Sequence, residues 1–150
     1  MLLSKEFNFI KEHLNAIDVS NKKVSKSNVG WHFDHSLKVI LGVTNFLIKS
    51  DPKEYQKSFH LIRTITFAVG AFPRGKVQAP KRVLPPETVL KQDLEAQLNL
   101  ANENLKLIKD LDDNSYFEHP IFKHLNKKQT VKFLKLHTNH HIKIVKDILK

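Results

Sequence analysis

The chain has 150 residues with 41% hydrophobic and 27% charged side chains, a composition typical of one globular domain, and this excludes wholesale disorder. The net charge of +10 is spread evenly, at +3, +3 and +4 in successive thirds, and 22 of the 25 cations are Lys, so the chain lacks the concentrated basic face of a nucleic-acid-binding protein. There is no cysteine, which excludes disulfides and Cys-ligated metal. The longest uncharged runs have ten residues, far fewer than a helix needs to span a bilayer.

No export signal is visible at the N-terminus, where charged residues begin at Lys5. We therefore expect a soluble cytoplasmic protein without a membrane partner. Because cysteine is absent, any metal ion must be bound by His, Asp or Glu.

Apolar residues three and four positions apart predict a series of amphipathic helices. The stretch Ile62–Phe72 is rich in β-branched residues and is also compatible with a strand. The predicted helices are, in chain order, Leu2–Ile17, Val29–Lys49, Lys53–Val69, Leu90–Ile108 and Lys127–Leu149.

Polar, proline-rich and glycine-rich segments separate these helices. Ser27 or Asn28 can cap the second helix, and Asp51-Pro52 ends it. The segment Gly70–Pro86 contains two Gly and four Pro and is predicted to be a long loop, and a shorter loop contains Glu118-His119-Pro120. We therefore predict an all-α fold, a helical bundle of four or five helices that forms a single domain over residues 1–150.

The long loop carries four cations and no acid, namely Arg74, Lys76, Lys81 and Arg82. These residues could attract an anionic ligand. The alternative is an ordinary solvated loop.

The nine histidines are the most informative feature of the sequence. His137 and His141 lie four residues apart in the last helix, so their side chains project from one face at a spacing that suits a metal ion. They share the core-facing stripe of Leu134 and Val145. The alternative is that both are structural histidines, hydrogen-bonded to backbone carbonyls in the core.

A similar inward-facing pair, His32 and His35, lies near the start of the second helix on the face of Val39, Val43 and Phe46. A pair from one helix and one histidine from a facing helix supply three nitrogen ligands and leave a fourth position open, as in catalytic divalent-metal sites. The last loop's His119 could line the mouth of such a site or anchor its own loop. The remaining histidines are expected on the surface or in loops, and they are His13, His60, His124 and His140.

Two segments, SNVGWHFDHSLKVI and HPIFKHLNKKQTVKFLKLHTNHHIKIVKDIL, resemble the DinB/YfiT-like helical-bundle superfamily, in particular an uncharacterised subgroup that ends in an HPxFGxL … HxxHH run. Lys123 occupies the position of the subgroup's glycine. The resemblance covers nearly the whole chain. It implies a four-helix bundle that binds a divalent metal, nickel or zinc, through His35, His137 and His141, with His32 as a rival to His35.

Two functions follow as hypotheses. The first is a metal-dependent enzyme acting on a small-molecule substrate, and the resemblance implies a transferase that uses a low-molecular-weight thiol or a hydrolase. The histidine faces carry no Asp or Glu to act as a general base, which favours thiol chemistry, and the basic loop could bind the carboxylates of the thiol. The second is a non-catalytic module that binds a ligand or partner and has structural histidines. The apolar helix Leu90–Ile108 is compatible with a homodimer.

Overall fold

The structure is a computed structural model that describes residues 2–72 and 81–150. Within these ranges the chain is mostly helical and has one small antiparallel sheet. The strands are β1 (Tyr116–His119) and β2 (Lys123–Asn126). The α-helices are α1 (Ser4–Glu12), α2 (Val29–Lys49), α3 (Leu61–Val69), α4 (Lys91–Leu107) and α5 (Lys127–Ile148).

The two helices that carry the inward-facing histidines begin at well-formed caps. The Asn28 side chain accepts a hydrogen bond from the Trp31 N–H at the start of α2, so Asn28 and not Ser27 is the cap. At the start of α5, Asn126 and Gln129 form a reciprocal capping box. The predicted bounds of α2 are confirmed, and α5 ends one residue earlier than predicted.

The prediction of an all-α fold holds for most of the described chain, but the predicted last loop contains a small sheet. Glu118 and His119 belong to β1, which pairs with β2 so that Phe117 lies opposite Leu125. Both of these side chains are buried. Because each strand has four residues, the alternation that identifies a strand is too short to stand out in the sequence.

The third helix is shorter than predicted, since α3 begins at Leu61 and not at Lys53. Part of the segment before it lies against the hairpin, where the Gln56 N–H donates to His124 Nδ1 over 3.1 Å. The stretch from Leu61 to Val69 is helical and not a strand, and it ends at Gly70, whose φ of 70° suits glycine. The first helix is also shorter, since α1 ends at Glu12 and a 3-10 turn follows.

Helix α2 lies at the centre of the fold and packs against both α4 and α5, while α1 packs against α5. The apolar residues of α4 on which the homodimer expectation rested face this core; Leu94, Leu98, Ala101 and Leu105 are all buried. Phe46, expected on the inward face of α2, is 52% exposed. Within the described ranges, no helix is both long enough and apolar enough to cross a membrane.

A close backbone contact fixes the end of α2 that carries His32 and His35. The Gly30 N–H donates to the Ile17 carbonyl over 2.8 Å. A Cβ atom at Gly30 would lie 3.1 Å from that same oxygen, so the absence of a side chain permits the approach. The first turn of α2 is thereby held against the segment that follows α1.

Candidate metal centre

Three histidines from two helices converge on one point in the core. His35 projects from α2, and His137 and His141 project from successive turns of α5. One ring nitrogen from each residue lies within 4.8 Å of the corresponding nitrogen of the other two. The three ring centroids are 4.7 to 5.2 Å apart. The structure therefore brings together all three of the predicted ligands, and this group could hold a metal ion.

The His35 ring is oriented by a backbone carbonyl. Its Nδ1 lies 2.9 Å from the carbonyl oxygen of Val83, which belongs to the predicted long loop. A carbonyl can only accept, so Nδ1 carries the proton and donates, and Nε2 keeps a free lone pair. A donated second N–H is the usual arrangement of a metal-binding histidine.

His32 forms a hydrogen bond with the His141 ring. The two Nδ1 atoms are 3.0 Å apart, and His32 Nε2 lies 3.0 Å from the hydroxyl of Ser25. His32 is 4% exposed, so the prediction that both histidines of α2 face inward is confirmed. The group of converging nitrogens contains His35 and not His32.

The third histidine, His137, has a buried ring nitrogen without a partner. Its Nδ1 is inaccessible to solvent and makes no hydrogen bond to any residue in the described part of the chain. A buried unsatisfied nitrogen destabilises a fold by about 1–3 kcal/mol, and a metal bound at that same atom would remove the deficit. The donor set therefore fits a bound cation.

Burial keeps the cluster uncharged near neutral pH. Desolvation lowers the pKa of His35, although the bond to Val83 and the nearby Asp34 act in the opposite direction. Desolvation also lowers the pKa values of His137 and His141 well below the ordinary value, and the neighbouring histidines add to the effect. Neutral imidazole is the form that binds zinc, nickel, copper and iron.

Aromatic side chains surround the three rings. Trp31 stacks on His35 with a centroid distance of 5.0 Å and an interplanar angle of 17°. Phe133 lies 5.7 Å and Phe72 lies 6.3 Å from the His137 ring. Such apolar walls restrict the entry of water and strengthen electrostatic interactions inside the site.

A cavity of about 150 Å³ lies beside α5, and none of the three converging histidines lines it. Phe72 and His140 line it, and their rings also lie next to His137 and His141 respectively. Its other lining residues are Gly70, Ala71, Leu136, Asn139 and Lys143. The cavity is below the ~300 Å³ of a drug-sized ligand site, so it suits a ligand of a few heavy atoms.

The remaining histidines lie outside the cluster, as expected. His119 anchors its own turn, because its Nδ1 accepts hydrogen bonds of 3.1 Å from the N–H groups of both Ile121 and Phe122. This is the loop-anchoring role, and His119 is not among the converging ligands. Those expected on the surface or in loops, His13, His60, His124 and His140, are each partly buried.

The predicted basic loop can be followed only in part. Arg74 and Lys76 lie outside the described residues, as does the side chain of Arg82, and Lys81 is exposed. Among the described residues of this loop, Val83 contacts His35 through its carbonyl oxygen, and the Phe72 ring lies next to His137. The loop's part in holding His35 is a backbone contact, and a backbone carbonyl leaves no signal in the sequence.

The buried acidic side chains Asp34 and Glu6 bind other side chains. Asp34 binds Lys38 over 2.7 Å and Gln97 over 2.8 Å. Glu6 is buried and accepts a 2.7 Å hydrogen bond from Asn139. Within the part of the chain that the structure describes, the metal-ligand group contains no carboxylate.

Comparison with protein-family models, with curated proteins and with solved structures finds no match to this chain.

Proposed function

We propose that this chain is a metal-dependent enzyme of the DinB/YfiT-like superfamily of four-helix bundles, in which His35, His137 and His141 bind one divalent nickel or zinc ion. The observation that carries the proposal is the convergence of three imidazoles, whose ligand nitrogens lie within 4.8 Å of one another, among apolar side chains. A core that only needed to be filled would use apolar residues there, because each buried imidazole requires a hydrogen-bond partner.

Three nitrogen ligands leave a fourth position open to a small molecule. A bound divalent ion would supply Lewis acidity, which polarises a substrate or lowers the pKa of a coordinated group. The chain's own residues orient this site. Val83 fixes the His35 ring, and Trp31 and Phe133 restrict the access of bulk water.

The ligand set of three histidines contains no carboxylate, and this favours thiol transfer over hydrolysis. Hydrolytic metal sites commonly place a carboxylate beside the attacking water to take its proton. Asp34 and Glu6 are the nearby buried acids, and both are engaged by other side chains. We therefore propose a transferase that joins a low-molecular-weight thiol to a small-molecule substrate.

Metal content tests the site. Tag-free wild-type protein and a triple variant with His35→Ala, His137→Ala and His141→Ala would be reconstituted, dialysed and analysed by inductively coupled plasma mass spectrometry. A variant with His13→Gln and His124→Gln is the matched control, because both histidines lie outside the cluster. We expect about one equivalent of metal in the wild type and the control, and none in the triple variant. A metal-free wild type after reconstitution would contradict the proposal.

The reaction class needs a separate measurement. Cobalt(II)-substituted protein would be titrated with small thiols, and the visible absorption spectrum would be recorded. A thiol-dependent change in the wild type, absent from the triple variant, supports transferase chemistry. An unchanged spectrum together with metal-dependent ester or amide hydrolysis would assign the site to the hydrolase class.

A further inference from the structure

A line of hydrogen bonds runs from the segment before α2 to the metal-binding face of α5. It joins the Ser25 hydroxyl to His32 Nε2 over 3.0 Å, and His32 Nδ1 to His141 Nδ1 over 3.0 Å. Ser25 and His141 are 116 positions apart in the sequence and are connected by one buried ring. The contact between His32 and His141 is therefore a tertiary contact that orients a proposed ligand.

The chemistry of imidazole fixes the direction of these bonds when a metal is bound. The Nδ1 atom of His141 faces His32, so Nε2 is the nitrogen left for the metal. A neutral histidine that binds through Nε2 carries its proton on Nδ1, which then donates to His32 Nδ1. His32 must accept at Nδ1, so its own proton lies on Nε2 and is donated to Ser25 Oγ.

The hydroxyl oxygen of Ser25 can accept this hydrogen bond from His32. Its hydroxyl oxygen already accepts from the Ser27 N–H over 3.1 Å. A serine hydroxyl has two lone pairs and can accept a second hydrogen bond from His32. The turn formed by Ser25 and Ser27 therefore holds the hydroxyl in place for this purpose.

The opposite proton arrangement is incompatible with metal binding. If Ser25 donated to His32 Nε2, the His32 proton would lie on Nδ1 and would be donated to His141 Nδ1. His141 would then carry its proton on Nε2, where no lone pair is available for a metal. The first arrangement leaves a lone pair on His141 Nε2 for the metal, and the second places a proton there.

We infer that His32, held by Ser25, is a positioning residue that fixes the His141 ring in the tautomer and orientation that present Nε2 to the metal. The inference rests on the proposed function, because it concerns the same metal site. In this inference His32 contacts a metal ligand and is not itself a metal ligand. Removal of such supporting partners typically weakens metal binding by about 10- to 100-fold.

Nuclear magnetic resonance of the unaltered chain tests the tautomer directly. Long-range nitrogen–proton spectra of zinc-loaded wild-type protein distinguish a protonated from an unprotonated ring nitrogen. We expect His32 to be protonated at Nε2 and unprotonated at Nδ1. A proton on His32 Nδ1 in the zinc-loaded protein would overturn the inference, and this readout does not depend on the folding of any variant.

Variants then test the effect on metal affinity. His32→Asn retains an acceptor oxygen the same number of bonds from Cα as Nδ1, whereas His32→Leu fills similar space without an acceptor. Ser25→Ala removes the distal partner, and Ser27→Ala is the matched control because Ser27 contributes through its backbone N–H. Zinc dissociation constants and cobalt(II) absorption spectra would be measured, with thermal unfolding of each metal-free variant to verify its fold.

We expect His32→Leu to weaken zinc binding by roughly 10- to 100-fold and to alter the cobalt spectrum. The Asn variant should recover most of that affinity, and the Ser27→Ala control should match the wild type. A wild type that binds no metal would overturn the proposed function itself. Tight binding and an unchanged spectrum in a folded His32→Leu variant would overturn the positioning role and leave the metal site intact.

Discussion

The Nδ1 atom of His35 donates to the carbonyl oxygen of Val83 across 2.9 Å, and both residues are buried. This bond connects the first turns of α2 to the backbone of the predicted long loop. The same ring thus has two roles at its two nitrogens. Nδ1 satisfies a buried carbonyl and contributes to folding, while Nε2 is available to a metal.

Two substitutions at His35 separate these roles. His35→Asn places an amide N–H where Nδ1 was and removes Nε2, so it should retain the bond to Val83 and lose the metal. His35→Gln reaches further and should leave the Val83 carbonyl without a donor. We expect the metal-free Gln variant to be less stable than the Asn variant by about 1 kcal/mol, although Gln is the better helix former. Urea denaturation of the metal-free proteins measures the difference, and a Gln variant as stable as the Asn variant would contradict this division of roles.

Local patterns in the sequence predict the helices and the ligands more successfully than the contacts that support them. The bounds of α2 and the inward placement of its histidines and of the His137–His141 pair follow from helical periodicity, which depends on residues close in sequence. Periodicity does not choose between His32 and His35, and the choice of His35 is implied by the resemblance. The bond to Val83 involves a backbone atom that every residue possesses, so no residue type reveals it. The contact of His32 with His141 depends on how α2 packs against α5.

The end of β1 offers a pH-dependent test of stability. Burial lowers the pKa of His119 to about 4, whereas the unfolded chain has the ordinary value near 6.5. Below about pH 6.5 the unfolded state binds the proton first, so stability decreases as the pH falls from about 6.5 towards 4. The contribution of this residue is fully present above pH 6.5.

His119→Asn isolates that contribution. The Asn oxygen can accept from the N–H groups of Ile121 and Phe122 as Nδ1 does, but it does not titrate. Between pH 7 and pH 4, the free energy of unfolding of the metal-free wild type should fall by about 2 kcal/mol more than that of the Asn variant. A completely buried ring would give a larger difference, but this ring is partly exposed to solvent. Urea denaturation at several pH values tests this, and parallel pH profiles of the two proteins would count against it.

A buried guanidinium attaches α3 to the hairpin. Arg63 is 6% exposed and donates to the carbonyl oxygens of Phe122 and His124 over 3.1 and 3.0 Å, and also to that of Ser58. Arg63→Met keeps much of the apolar stem but leaves these carbonyls without their donor. We expect a loss of about 2–3 kcal/mol in the free energy of unfolding, because hydrogen bonds from a charged donor are the strong ones.

A neighbouring substitution on the same helix provides the control for Arg63. Ile62 is 57% exposed, so Ile62→Ala should change stability by no more than about 0.5 kcal/mol. Both variants would be measured by urea denaturation together with the wild type. Equal stability of Arg63→Met and wild type would show that the carbonyls find other partners.

The first residue of β2 has a backbone conformation that is unfavourable for its side chain. Lys123 has a φ of 59°, in the left-handed region where a Cβ atom is strained. Lys123→Gly should therefore raise the free energy of unfolding by about 0.5–1 kcal/mol, a net value because glycine also increases the entropy of the unfolded chain. Lys123→Ala is the control, since it removes the charge and keeps Cβ. Thermal and urea unfolding should rank the Gly variant above the Ala variant, and the reverse order would show that strain at Cβ is smaller than the entropic cost of glycine.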